Sequence, residues 1–338
     1  MQRRGVQSFQ AEDEIAAVCA AIGASFGGAL GATGTSGPGM ALKSEAINLA
    51  LMLELPLLVI DVQRAGPSTG MPTKTEQSDL LFAMYGRNGE SPIPIIAAHS
   101  PGNCFEAVYW ACKIAIEHMT PVIFLSDGYL ANGSEPWKVK DLKDLPEIQP
   151  VYLSAEDTQE EAFLPYKRNA DLVRSWVQPG TKNKQHRIGG LEKELVSGNV
   201  SYSPENHQKM TDIRAEKVAL IAKKLPEQTI MAGAKSGKVL VIGWGNTTGA
   251  IKSAVLELLK EAKEVAHAQI NFIHPFPENL ANILNSFDKI LVPELNNGQL
   301  IKLLKVAFPN NKFYALNKIQ GIPFKKSEIK DAILNLLG

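Results

Sequence analysis

The chain has 338 residues, 45% of them hydrophobic, and its 35 Lys plus Arg are balanced by 35 Asp plus Glu. That length buries a sizeable core and suggests two domains, while zero net charge removes the basic surplus that nucleic acid or an anionic membrane would attract. Three cysteines, Cys19, Cys104 and Cys112, form no CxxC pair, so no zinc site or iron–sulfur cluster is expected on this chain; with no membrane-length apolar run and no signal-peptide core, a reducing cytoplasm is the expected location.

Near the N-terminus VQSFQ reads as a strand, and EIAAVCAAIGASFGGAL follows as a buried-looking helix. An entry this abrupt implies that the upstream part of a first βα unit is missing or comes from another chain. LPLLVIDVQ, SPIPIIAAHS and TPVIFLSDG are strand-length apolar runs, each ending in a polar turn. Their alternation with helical segments predicts a parallel sheet with helices on both faces over residues 1–140. Residues 141–234 read as a partly helical connector containing MTDIRAEKVALIAKKL. From about 235 a second α/β unit runs to 338 through KVLVIGWG, TTGAIKSAVLELLKEA, AHAQINFIHPFP, KILVPELNNGQL and SEIKDAILNLL. The expected fold class is therefore α/β, with two open, mainly parallel-sheet domains.

Several stretches carry possible chemistry. Glu12, Asp13 and Glu14 stand at the strand–helix junction, where the helix dipole stabilises a carboxylate and burial raises its pKa; simple capping is the plain alternative. Ser36, Gly37, Pro38 and Gly39 lie where a strand hands over to a helix, a geometry that suits an anion or a polar ring, or merely a tight turn. Arg64 stands at the carboxyl end of LPLLVIDVQ, where open α/β sheets bind ligands, and could grip a carboxylate with two parallel hydrogen bonds. The loop after it, with Ser68 and Thr69 among glycines and prolines, reads as shaped rather than merely solvated. Asp127 ends a strand at the same edge, as a site residue or a turn cap. In VIGWGNTTGA, Gly243, Gly245 and Gly249 match a dinucleotide fingerprint only loosely and read as a structural turn. The six histidines show no metal-ligand spacing, so no metal site is expected.

Taken together, QAEDEIAAVCAAIGAS, TSGPG, VQRAGPSTGMPTKTEQSDL, FLSDG, GLEKELVSGNVSYSPENHQKMTDIRAEK and VPELNNGQL resemble the α subunit of 2-oxoacid:ferredoxin oxidoreductases, with the closest likeness to the 2-oxoglutarate (KorA-type) branch. The resemblance implies a thiamine diphosphate pyrimidine-type domain followed by a transketolase C-terminal-like domain. It implies oxidative decarboxylation of 2-oxoglutarate to succinyl-CoA, with coenzyme A as acceptor and ferredoxin reduced. It also implies a β partner that holds the diphosphate, Mg2+ and the iron–sulfur cluster. Glu14 would then contact N1′ of the aminopyrimidine, with Gly23 nine residues on as in related thiamine enzymes, and Glu12 remains the alternative. Arg64 would hold the substrate carboxylate, and Ser36–Gly39, Ser68, Thr69 and Asp127 would line the cofactor crevice or the subunit interface. The family's YPITP segment, normally upstream of QAEDE, and the γ-type domain of many members are not in this sequence. Activity on pyruvate or branched-chain 2-oxoacids, a noncatalytic scaffold role and a Rossmann dehydrogenase remain the competing readings.

Overall fold

In the computed structural model, which describes residues 5–154, 156 and 163–338, the apolar runs become the strands of two five-stranded sheets. The first contains β1 (Gly31–Thr35), β2 (Leu57–Gln63), β3 (Ile95–Ala97) and β4 (Pro121–Asp127). The second contains β5 (Ile230–Ala232), β6 (Gly237–Trp244), β7 (Val265–Ile270), β9 (Phe287–Glu294) and β10 (Phe313–Asn317). AHAQINFIHPFP splits, and its second half, β8 (Phe272–His274), leaves the C-terminal unit to pair antiparallel with β3. The orders are β1-β2-β4-β3-β8 and β10-β9-β6-β7-β5, parallel except where β8 and β5 join the edges.

The helices are α1 (Glu14–Phe26), α2 (Gly37–Leu53), α3 (Leu80–Tyr85), α4 (Asn103–His118), α5 (Gly128–Asn132), α6 (Pro204–Leu220), α7 (Thr248–Lys260), α8 (Leu280–Asn285), α9 (Gln299–Ala307) and α10 (Lys326–Leu337). Alternation along the strands decides which helix each face meets. On β2, Leu58 faces α4 in one core with Ala107, Ala111 and Ile114, while Leu57 and Val59 face the other way. On β6, Val239 and Val241 pack on α7 and α10, whereas Leu240, Ile242 and Trp244 turn inward. The inward faces of both sheets share one apolar core that includes α3 residues Leu80 and Ala83 and α9 residues Leu300 and Leu304.

Two expectations are corrected. VQSFQ forms no strand, since Val6–Gln10 has no sheet partner and is exposed. The alanine-rich helix is buried on one side only: Val18, Ala21, Ile22 and Ser25 face inward, but Ile15 is 52% exposed and Cys19 is exposed. The connector packs against α1. Trp176 is buried, donates from Nε1 to the Ser25 carbonyl at 2.9 Å and stacks on Tyr152 at 4.8 Å between ring centroids.

Candidate active site

The parallel register brings the carboxyl ends of three strands to one edge. Thr35 lies opposite Asp61, and Gln63 opposite Asp127. Because α1 precedes β1 and runs back along it, the first turn of α1 returns to the same edge. Asp13 is the N-cap, its carboxylate accepting from the Ala16 amide at 2.7 Å, which satisfies one of the free amides of a helix start. Glu14, the first helical residue, is half-buried, while Glu12 is exposed. The buried Lys43 ammonium on α2 donates to the Glu14 carbonyl at 2.9 Å; desolvation lowers its pKa, against the pull of the Glu14 and Asp13 charges.

Ser36 precedes α2 in extended conformation, and Pro38 sits within its first turn, where its missing N–H costs nothing. The two glycines are needed for close approach. A Cβ on Gly39 would stand 2.2 Å from Thr35 Oγ1 and 2.9 Å from Glu14 Cγ, with Glu14 Oε1 at 3.2 Å. A Cβ on Gly37 would stand 2.7 Å from Asp79 Oδ1. The Glu14 carboxylate thus rests on the bare backbone of Gly39, and it accepts no hydrogen bond among the described residues. A half-buried carboxylate so placed, over a surface cleared of side chains, fits the flat amino-substituted ring of a thiamine cofactor.

Arg64 follows β2 directly. Its loop closes through Ala65 N to the Lys74 carbonyl at 2.9 Å and Met71 N to the Ala65 carbonyl at 3.1 Å. Gly70 is obligatory there, with φ of +53° and a Cβ position only 1.7 Å from the Ala65 oxygen. Ser68 and Thr69 are exposed at the tip of this loop. Arg64 Nε is buried without a partner among the described residues. Asp127, opposite Gln63, caps α5, accepting from Tyr129 N at 2.8 Å and Leu130 N at 3.1 Å, and takes the Thr75 hydroxyl at 3.0 Å. Burial pushes its carboxyl up, and these hydrogen bonds pull it back.

Sequence reasoning passed over four side chains at this edge. Gln63 accepts from the Asp79 amide at 3.0 Å and donates to the Ser126 carbonyl at 3.0 Å. Asp61 is wholly buried on β2, and the Asp79 carboxylate lies against Gly37. Gln77 reaches from the loop into the second sheet, donating to the Trp244 carbonyl at 2.7 Å and accepting from Leu295 N at 2.8 Å. The available signal was a run of polar residues, KTEQSD, lying against an apolar fold. Gln77 also occupies the turn that resembles a dinucleotide fingerprint, since a Cβ on Gly245 would stand 2.6 Å from Gln77 Nε2. Among the described residues no group of three or more His, Cys, Asp or Glu could hold a metal ion.

A fold of two such sheets, with a glutamate, a glycine platform and an arginine at the edge of the first, defines a thiamine-type domain joined to a transketolase-like one. The family model described as "Pyruvate flavodoxin/ferredoxin oxidoreductase, thiamine diP-bdg" matches residues 1–202, and "Pyruvate:ferredoxin oxidoreductase core domain II" matches 237–332. The chain belongs to the 2-oxoacid:ferredoxin oxidoreductase family, as an α-type chain. It is 47% identical over 96% of its length to 2-oxoglutarate oxidoreductase subunit KorA of Mycobacterium tuberculosis, covering 49% of that protein. It is 31% identical over 97% to 2-oxoglutarate synthase subunit KorA of Methanothermobacter marburgensis, covering 86% of that one. The chain therefore spans about half the length of the first of these relatives. The solved 2-oxoglutarate:ferredoxin oxidoreductase of Magnetococcus marinus, with 2-oxoglutarate, coenzyme A and succinyl-CoA bound, superposes with a TM-score of 0.92 at 32% identity, over 99% of this chain and 58% of that one. A split-gene transketolase shares the fold alone, at a TM-score of 0.51 and 10% identity.

Proposed function

We propose that this chain is the α-type half of a thiamine diphosphate-dependent 2-oxoacid:ferredoxin oxidoreductase whose substrate is 2-oxoglutarate, converted with coenzyme A to succinyl-CoA while ferredoxin is reduced. The observation that carries the reading is the Glu14 carboxylate seated on the Gly39 backbone at the sheet edge that also presents Arg64. It is supported by the 2-oxoglutarate activities named for the Mycobacterium and Methanothermobacter relatives and by the ligands of the Magnetococcus enzyme. On this reading residues 1–140 form the pyrimidine-facing domain, 141–234 the connector and 235–338 the transketolase C-terminal-like domain. A β partner supplies the diphosphate site, Mg2+ and the iron–sulfur cluster. The complex is taken to be cytoplasmic; the three cysteines are unpaired, and no helix among the described residues is long and apolar enough to cross a membrane.

Thiamine diphosphate, when bound, supplies the nucleophilic carbon and the electron sink that decarboxylation of a 2-oxoacid requires. Glu14 would hold a proton at the pyrimidine nitrogen, acting as a general acid–base group. Ser36, Gly37, Pro38 and Gly39 would give the ring a backbone surface to lie on. Arg64 would fix the substrate carboxylate, so that the bond to be broken keeps one orientation. Ser68 and Thr69, exposed at the loop tip, would face the partner subunit, and Asp127 would hold the edge in shape through its cap.

The test is dye reduction by the assembled complex with thiamine diphosphate, Mg2+ and coenzyme A, over a panel of 2-oxoacids. Turnover with 2-oxoglutarate is expected, with a loss of about 10²-fold or more in kcat for Glu14→Gln and little change for Glu12→Gln. Arg64→Ala should raise KM steeply. Preference for pyruvate or a branched-chain acid would move the substrate within the family, in line with the broader 2-oxoacid names of archaeal relatives such as that of Saccharolobus solfataricus. Full turnover by both Glu14→Gln and Arg64→Ala would make the chain a scaffold and end the reading.

A further inference from the structure

The face of α2 that meets the first turn of α1 carries Gly39 and, one turn further on, Lys43. The same stripe continues as Ile47 and Ala50, which share one apolar core with Val18, Ala21 and Ile22 of α1. A lysine is out of place in such a stripe, and fully buried lysines are almost always paired. Lys43 is 1% exposed. Its ammonium donates to the Glu14 carbonyl at 2.9 Å; that is its one hydrogen bond among the described residues, and it forms no ion pair there. Two of its three N–H donors are thus left over.

A buried ammonium with no carboxylate bonded to it is costly, and a position beside the start of α1, the positive end of the helix dipole, adds to the cost. A methionine would fill the same stem without either penalty. Desolvation accordingly lowers the Lys43 pKa, and the charges of Glu14 and Asp13 oppose it. Two contacts therefore converge on Glu14 from one face of α2: the side chain rests against Gly39, and the backbone is tied to Lys43. The first is a close approach without a hydrogen bond, so it leaves the helix turn free to lift. We propose that Lys43 is a positioning residue for Glu14: its ammonium ties the Glu14 backbone to α2, and its charge draws that turn inward, so that the carboxylate keeps its seat on Gly39 when a thiamine ring binds over it. Lys43 touches neither the ring nor the 2-oxoacid; it acts through Glu14. The demand on position is strict, since a displacement of about 1 Å at a reacting group costs about 10²-fold in rate.

This inference rests on the reading of Glu14 as the group that meets the pyrimidine, and a double-mutant cycle keeps the two apart. In the assembled complex, kcat, KM for 2-oxoglutarate and the calorimetric Kd of thiamine diphosphate are measured for the unmodified enzyme, Lys43→Met, Glu14→Gln and the double variant. Lys43→Met should lower kcat about 10²-fold and weaken the cofactor, with KM for the 2-oxoacid retained. In the Glu14→Gln background it should add no more than about twofold, because the carboxylate that it positions is gone. An equal loss in both backgrounds overturns the inference and leaves the reading of Glu14 intact, whereas full turnover by Glu14→Gln alone overturns both. Hydrogen exchange of the same complex without cofactor needs no turnover: amides of the first turn of α1 should exchange faster in Lys43→Met, while those of β1 exchange as before. Unchanged exchange at the start of α1 overturns the proposal whatever the activity. If Lys43→Met does not assemble, Lys43→Gln is carried through the same cycle and the same exchange measurement, with the same outcomes deciding.

Discussion

At Gly39 one hydrogen atom in place of a methyl group decides where Glu14 sits. An added Cβ would meet Thr35 Oγ1 at 2.2 Å and Glu14 Cγ at 2.9 Å. The threonine is fixed at the end of a strand, whereas Glu14 stands in the first turn of a helix and has room to move. Gly39→Ala should therefore push the carboxylate off the platform, costing about 1–3 kcal/mol of overpacking and lowering kcat together with thiamine diphosphate affinity. Calorimetric titration of the cofactor into the assembled complex checks this; unchanged affinity and turnover would mean that the platform has no role. Much at this scale was legible in the sequence, because glycine and proline act locally: TSGPG marks a strand-to-helix handover, and Arg64 directly follows its strand. Asp61 and Asp79 were not. An aspartate within LPLLVIDVQ reads as one polar residue in an apolar strand, and its complete burial on the inward face of β2 is visible only once the sheet has formed.

The loop from Lys74 to Asp79 is held less by its own conformation than by the second sheet. Gln77 makes four hydrogen bonds there: its side chain with Trp244 and Leu295, its amide to the Leu295 carbonyl at 3.1 Å and its carbonyl from Asn296 Nδ2 at 2.8 Å. Glu294, wholly buried, braces this contact by accepting from Trp244, Asn296, Leu300 and Ile301. The C-terminal unit thus shapes the loop that follows Arg64 in the first one. Gln77→Ala leaves the buried Leu295 amide unpaired, at about 1–3 kcal/mol, and the Trp244 carbonyl with the Thr247 hydroxyl alone, and should raise KM as well because Ser78 and Asp79 lose their anchor. Thr69→Ala, at the exposed loop tip, should shift stability by no more than about 0.5 kcal/mol. Thermal denaturation of the pair, beside their KM values, checks both; equal midpoints would refute the bracing role. Periodicity found the long strands and helices, since alternation and the 3.6-residue repeat are properties of a segment. It did not find β5, β8 or β10, three to five residues each, whose strand state depends on an edge offered by distant chain.

Across the whole molecule the connector is fastened to the end of α2 by a buried charge cluster centred on Glu54. This residue ends α2 in left-handed conformation, φ 50°, where glycine is usual. Its carboxylate compensates: it pairs with Lys217 of α6 at 3.0 Å and with Arg168, while Arg174 donates to its carbonyl at 3.2 Å. Arg168, Arg174 and Lys193 each lie 5.4 to 5.5 Å from the centre of the buried Tyr166 ring. Desolvation raises the Glu54 pKa, but the neighbouring cations outweigh it and hold the group at about 2, against 4.5 for a free glutamate. A depressed carboxylate contributes stability that is complete above its unfolded value and is lost as pH falls, so this contribution, about 3 kcal/mol, should disappear between about pH 4.5 and pH 2. Asp79 has the opposite sign. Raised to about 6 from 3.8, it binds its proton more readily in the folded chain, so stability should rise as pH falls from about 6 towards 4. The thermal midpoint of the unmodified chain should therefore hold or climb from pH 7 to about 5 and then drop steeply. Glu54→Gln should lose about 3–5 kcal/mol at neutral pH, because Lys217 and Arg168 are left buried without their anion, and its acid limb should be flatter. An acid limb of unchanged steepness in Glu54→Gln would show that other carboxylates carry the acid sensitivity and that the connector is held by packing around Trp176 and Tyr166 alone.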